Sequence, residues 1–261
     1  MIQANRACSW KPLFILLLSV CSAALLHAAD TVRREADAAY SAEEYARAFE
    51  LYSEVAEEGD LFALCRLGEL YYSGRGIEQD FRKAFEVYRE AAQQGAPVAQ
   101  CMLGVLYFEG QGTLPDYAKA AEWYRKAAAQ GNGMALYNLA LMCREGKGMP
   151  KDAEKELELI RAAARQGNAR AQCELGFMYR DGKNAERDYR RAAAYFADAA
   201  AQGDPAAQAA LGMAYCIGQG VTQDLEKAKR LIKLAYDNPE TDAVLRKKCH
   251  TLWTKYRLFE H

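Results

Sequence analysis

The chain has 261 residues, 51% hydrophobic and 26% charged, enough apolar material for a packed core and too much for a disordered chain. A formal net charge of −1 excludes a protein whose main task is gripping nucleic acid by its phosphates. The only histidines are His27, His250 and His261, which excludes most catalysis built on histidine bases or histidine metal ligands.

At the N-terminus, Arg6 and Lys11 precede an almost unbroken apolar run from Leu13 to Leu26, followed by the small residues Ala28 and Ala29. A basic head, an apolar stretch and small residues before a polar segment predict a secretory signal peptide over residues 1–29. The run is shorter than the roughly 20 residues a spanning helix needs. A retained anchor and lipidation at Cys21 are the alternatives, the second weakened by Val20 where a small residue is expected. Residues 30–59 then read as a divergent helix pair with a tight turn near Tyr40-Ser41-Ala42. Tyr45, Ala48, Phe49, Tyr52 and Ala56 share one helical face. Asp30 to Asp60 holds ten acids against Arg33, Arg34 and Arg47.

From residue 60 the chain repeats every 36 residues. Gly59, Gly95, Gly131, Gly167 and Gly203 keep that spacing. So do Ala63, Leu67, Gly74 and Asp80 with their four later equivalents, ending at Ala207, Leu211, Gly218 and Asp224. A period of this length signals a stacked array. Five units are expected, at 60–95, 96–131, 132–167, 168–203 and 204–239. Each reads as two helices. In the first unit Ala63, Leu67, Leu70 and Tyr71 fall on one face. Ser73-Gly74-Arg75-Gly76 ends that helix, and Asp80 sits where the next helix needs an N-cap. Ala84, Val87, Tyr88, Ala91 and Ala92 form the second apolar face. Gly68, Gly104, Gly176 and Gly212 lie inside first helices. Glycine there costs about 1 kcal/mol against Ala, which points to a close approach between the two helices of each pair.

The second unit carries the pattern most fully, in Ala99, Leu103, Gly104, Tyr107, Gly110, Gly112, Asp116, Tyr117, Lys119, Ala120, Trp123, Tyr124, Ala127, Ala128, Gln130 and Gly131. It resembles the Sel1-like repeat, a relative of the tetratricopeptide repeat. The resemblance implies an all-α, right-handed α/α superhelix of tandem helix-turn-helix repeats, with residues 30–59 as a tetratricopeptide-like pair. It also implies a non-enzymatic scaffold for protein or peptide partners. Departures are local: Ala140, Cys143 and Glu156 in the third unit, Asn184 in the fourth, and Asn238-Pro239 at the end of the fifth. Some relatives are cysteine-rich and staple each unit with a disulfide. The second-helix position of that staple is Ala91, Ala127, Ala163 or Ala199 here.

Beyond residue 240, Leu245, Cys249, Leu252, Trp253 and Tyr256 form an apolar stripe at helical spacing. Residues 240–261 are therefore expected to form a capping helix over the last core face, with Arg246, Lys247, Lys248, Lys255 and Arg257 mostly elsewhere around it. Six cysteines follow the signal: Cys65, Cys101, Cys143, Cys173, Cys216 and Cys249. Cys65, Cys101 and Cys173 share one repeat position, and equivalent positions on stacked helices lie roughly 8–10 Å apart, beyond the roughly 7 Å that a disulfide tolerates. Six free thiols are expected.

No phosphate-binding loop, H-E-x-x-H pair or S-x-x-K signature follows the signal. Neighbours on a helix do not face each other, so Cys249-His250 is no dyad. No catalytic residue, metal site or cofactor is expected. The alternatives to a scaffold are a hydrolase or binder of cell-wall or β-lactam-type ligands, and a membrane-tethered subunit of an envelope complex. Export to the periplasm or the medium of a bacterium follows from the signal and the resemblance.

First-helix positions that vary between units are free of the packing duty that fixes the others. One holds Arg66, Met102, Asn138, Glu174 and Ala210. The other holds Glu69, Val105, Leu141, Phe177 and Met213. A spacing of three puts both on one helix face. In stacked helix pairs first helices line the concave surface, so Arg66, Glu69, Met102, Val105, Asn138, Leu141, Glu174, Phe177 and Met213 are the expected partner-binding groove. No nucleic acid, and no membrane once the signal is cleaved, is expected as partner.

Overall fold

A computed structural model describes residues 30–258; the expected signal segment lies outside them. Thirteen helices and no strand occur among the described residues. α1 covers 30–41 and α2 Tyr45–Glu57. The repeats follow as α3 (Leu61–Ser73) and α4 (Phe81–Gln93), α5 (Pro97–Glu109) and α6 (Tyr117–Ala129), α7 (Gly133–Glu145) and α8 (Ala153–Arg165), α9 (Ala169–Asp181) and α10 (Tyr189–Ala201), and α11 (Pro205–Ile217) and α12 (Leu225–Asp237). α13 (Ala243–Lys255) closes the chain. The first turn falls slightly later than expected, at residues 42–44, where Glu43 takes the left-handed φ of 62°. The fold class is the all-α superhelix of stacked helix pairs.

The helices divide into two compact units. One comprises the described residues up to Leu106 with Gly110–Leu114, and the other Tyr107–Glu109 with the chain from Pro115 onward. In the first unit α1 to α3 bury Ala36, Ala48, Tyr52, Ala63, Leu67 and Leu70 together, with Val87 of α4 packed against them. In the second, each helix packs mainly on its sequence neighbours. One of its cores joins Cys173, Phe196, Ala199 and Leu211. Another joins Ala140, Ile160, Ala171 and Leu175. A third joins Cys216, Ile232, Cys249 and Leu258.

The periodic residues explain the periodic structure. Asp80, Asp116, Asp152, Asp188 and Asp224 each accept backbone N–H bonds in the first turn of a second helix, as with Arg190 and Lys119 at 3.0 Å. These bonds satisfy donors that a helix start otherwise leaves open. Gly74, Gly110, Gly146, Gly182 and Gly218 end the first helices at φ between 68° and 74°. The interior glycines serve contact instead. A Cβ on Gly176 would stand 2.5 Å from the Phe196 ring, and one on Gly68 2.7 Å from Tyr88.

The third repeat absorbs its departures locally. Ala140 fits against Ile160, both fully buried. The Cys143 thiol donates to the Asp152 carbonyl at 3.2 Å. Glu156 stands where the other repeats bury Ala84, Ala120, Ala192 and Ala228, and it accepts from Arg144 at 2.7 Å. In the fourth repeat Asn184 takes φ of 61°, in the region its glycine equivalents occupy. All six described cysteines are free, with Cys65 half-buried and the rest buried.

Candidate functional site: the variable faces of the first helices

The invariant alanines of the first helices and the two variable positions expected to form the groove differ in burial. Ala63, Ala99, Ala135, Ala171 and Ala207 are all 0% exposed. Arg66, Glu69, Met102, Val105, Asn138, Leu141, Glu174 and Phe177 are half-buried, and Met213 is 38% exposed.

In the first unit Arg66 donates to Glu69 at 2.9 Å. Its guanidinium lies 4.6 Å from the centre of the Tyr40 ring of α1 and 5.1 Å from that of Phe62. The Tyr40 hydroxyl also donates to Glu69. Burial raises the Tyr40 pKa, and the Glu69 carboxylate adds to that. This end of the variable face is therefore already engaged with α1. Met102 and Val105 of α5 remain half-buried in the same unit.

In the second unit Glu174 accepts a short bond from Arg144 of the preceding first helix. Arg144 thus binds Glu156 of its own repeat and Glu174 of the next. Burial works against its charge, yet these bonds and carboxylates hold its pKa above the ordinary value. Tyr137 beside Glu174 is pushed up by burial first and by that carboxylate second. Phe177 packs edge-on against Phe196 at 5.0 Å and carries the Arg180 guanidinium 4.8 Å from its ring centre.

Phe177 is also a wall shared by two clefts. One, of about 480 Å³, has a charged lining that includes Arg170, Glu174, Asp181, Lys183 and Asp204. The other, of about 720 Å³, is apolar and lies between α9, α11 and α13. Ala206, Ala209, Ala210 and Met213 face it from α11, and Val244, Leu245 and Leu252 from α13. Phe177 and Met213 are among the residues expected from the sequence, whereas the α13 residues that line this cleft are not. A signal was present: Ala206, Ala209 and Ala210 stand where the first repeat has Phe62, Cys65 and Arg66 and the fourth Arg170, Cys173 and Glu174. Loss of those volumes opens the cleft.

Among the described residues no group of three or more His, Cys, Asp or Glu is arranged to hold a metal ion, and no helix is long and apolar enough to cross a membrane. Burial raises the thiol pKa of Cys101 to about 12 and of Cys216 to about 11, far from the activated range of a nucleophile.

Five Sel1 repeats match, over residues 61–95, 97–132, 133–168, 169–204 and 205–239. Among solved structures, a Sel1 repeat protein from Oxalobacter formigenes is 31% identical, with a TM-score of 0.72 over 87% of this chain and 91% of that one. A protective antigen of uropathogenic Escherichia coli with the same repeat fold is 28% identical, with a TM-score of 0.62 over 87% of this chain and 52% of that one. An immunity protein from Pseudomonas aeruginosa is 26% identical, with a TM-score of 0.54 over 88% of this chain and 82% of that one. None of the curated proteins matches the sequence. Sel1 repeat scaffolds are generally non-catalytic and mediate protein–protein interactions. With five repeats filling residues 61–239 and similarity to such structures along most of its length, the chain belongs to the Sel1 repeat family.

Proposed function

We propose that this chain is an exported, non-catalytic scaffold that holds a protein or peptide partner against the variable faces of its first helices. The observation that carries the reading is the contrast along each first helix. Ala63 and Leu67 with their equivalents, identical in all repeats, are buried, whereas the two variable positions that begin with Arg66 and Glu69 stay partly open to solvent. Apolar side chains left open in this way mark interaction surfaces. Met102, Val105, Leu141 and Met213 supply that character here, and methionine adapts to irregular partners. Glu69 and Glu174 act in orienting the partner only as members of their internal ion pairs.

Export rests on the N-terminal sequence. Arg6, Lys11, the run from Leu13 to Leu26 and the small pair Ala28-Ala29 support cleavage in the envelope of a bacterium. Protein made in a Gram-negative host should be recovered from the periplasm beginning at Ala29 or Asp30. N-terminal sequencing that finds Met1 retained contradicts this part.

The binding part is tested by affinity capture from the envelope fraction with mass spectrometry, comparing the native chain with Val105→Asp, Leu141→Asp and Met213→Asp combined. Phe177 is spared because it packs on Phe196. The variant should keep its helical circular dichroism and lose the captured protein. Retention of the same partner by a folded variant places binding elsewhere.

A further inference from the structure

The groove between α9, α11 and α13 has a chemistry of its own. Its apolar surface is unusually open: Val244 is 63% and Met213 38% exposed. Its floor is low because α11 presents Ala206, Ala209 and Ala210. Its volume of about 720 Å³ falls within the range of formed ligand sites.

The polar groups on its rim are few and can be accounted for individually. Arg180 is committed to Asp181 through two bonds, at 2.6 and 2.9 Å. Asp242 caps α13 by accepting from the Leu245 N–H at 2.7 Å. The Thr251 hydroxyl donates to the Lys247 carbonyl at 2.9 Å. Lys247 and Lys248 remain, both exposed, and no carboxylate among the described residues pairs with either ammonium. Asp242 keeps its negative charge, since a backbone N–H does not neutralise it, so with Arg180 paired to Asp181 the two lysines leave the rim of this apolar trough net positive by one charge.

We propose that this groove seats an amphipathic peptide segment of the partner, its apolar side chains against Phe177, Met213 and Val244 and its acidic residues against Lys247 and Lys248. The proposal rests on the scaffold reading above and adds the partner's chemistry. An apolar stripe with acids along one flank matches both features of the trough. A basic segment would meet the lysines with like charge, and a purely polar one would leave the apolar walls wet.

The test uses a displayed library of random 16-residue peptides selected on the whole protein. Enriched peptides should combine apolar residues at helical spacing with an excess of Asp and Glu. Ala210→Trp, which fills the floor, should weaken a selected peptide at least tenfold, on the order expected for loss of a buried anchor. Lys247→Glu with Lys248→Glu should weaken it and reverse its dependence on salt. Circular dichroism checks that each variant is folded. If Ala210→Trp unfolds, Val244→Glu at an exposed position serves the same purpose. Enrichment of basic or uncharged peptides, equal binding by the variants, or no enrichment at all overturns the proposal. So does a dimer in sedimentation that the lysine variant abolishes, which would make a second copy the occupant. The envelope capture described above is unaffected by these outcomes, so failure here is distinguishable from failure of the scaffold reading.

Discussion

At the scale of single residues, repetition separates duties that are normally mixed. Gly176 is the clearest case, because its missing side chain is where the Phe196 ring sits. Gly176→Val should cost about 3 kcal/mol, at the upper end of typical overpacking penalties. Asp188→Ala removes only cap bonds and should cost about 1 kcal/mol. Urea midpoints of the two variants check the order, and equal losses would contradict it. The caps also carry a pH signature. Asp116 is held below the usual carboxylate range by the Lys119 backbone N–H first and the Lys119 ammonium second. Asp224 is lowered chiefly by the backbone N–H of Lys227. A carboxylate with a lowered folded pKa adds stability above its unfolded pKa of about 4, and that stability is lost as pH falls through the folded value. Urea midpoints should therefore drop on going from pH 5 to pH 3. Asp116→Asn with Asp224→Asn keeps the capping geometry and should flatten the drop. These duties were legible in the sequence because a cap or a close contact recurs at a fixed repeat position. The Arg144 bridge to Glu156 and Glu174 was not, because it occurs once and has no period to reveal it.

At the scale of elements, the loops between paired helices also join one repeat to another. A Cβ on Gly220 would stand 2.0 Å from the Tyr189 carbonyl oxygen at the start of α10, and one on Gly148 2.3 Å from that of Tyr117 at the start of α6. These glycines answer both a left-handed φ and a backbone contact. Gly220→Ala should then destabilise by more than the roughly 1 kcal/mol of a left-handed backbone alone, read as a lowered melting temperature. The sequence identified these glycines as turn residues and not as contacts with the preceding repeat, since the partner is a backbone atom that any residue would supply. The cysteines belong to this scale too. Five are buried, and burial raises the thiol pKa of Cys101, Cys173 and Cys216; the thiols should react slowly with a thiol reagent in the native chain, half-buried Cys65 first. After unfolding without reductant, the signal-cleaved chain should show all six; a count of none would mean three disulfides. The register of α13 was readable from its stripe, and Cys249 is indeed buried. Its groove with α9 and α11 was not, because that depends on how a nonrepeating helix leans against small side chains.

At the scale of the molecule, a repeat array is held by neighbours and not by a single centre. Within the second unit each helix packs mainly on the next, so the damage from Gly176→Val should concentrate in α9, α10 and the helices beside them. Hydrogen exchange that rises equally from α6 to α13 would contradict this. The proposed partner surface lies on the variable first-helix positions that this packing leaves partly open, and photo-crosslinking tests that proposal most directly. Benzoylphenylalanine in place of Leu141 or Met213 should crosslink the partner retained in envelope capture, whereas in place of Glu122 or Ala194, exposed on second helices, it should not. Crosslinks from the second helices with none from Leu141 or Met213 would contradict the account.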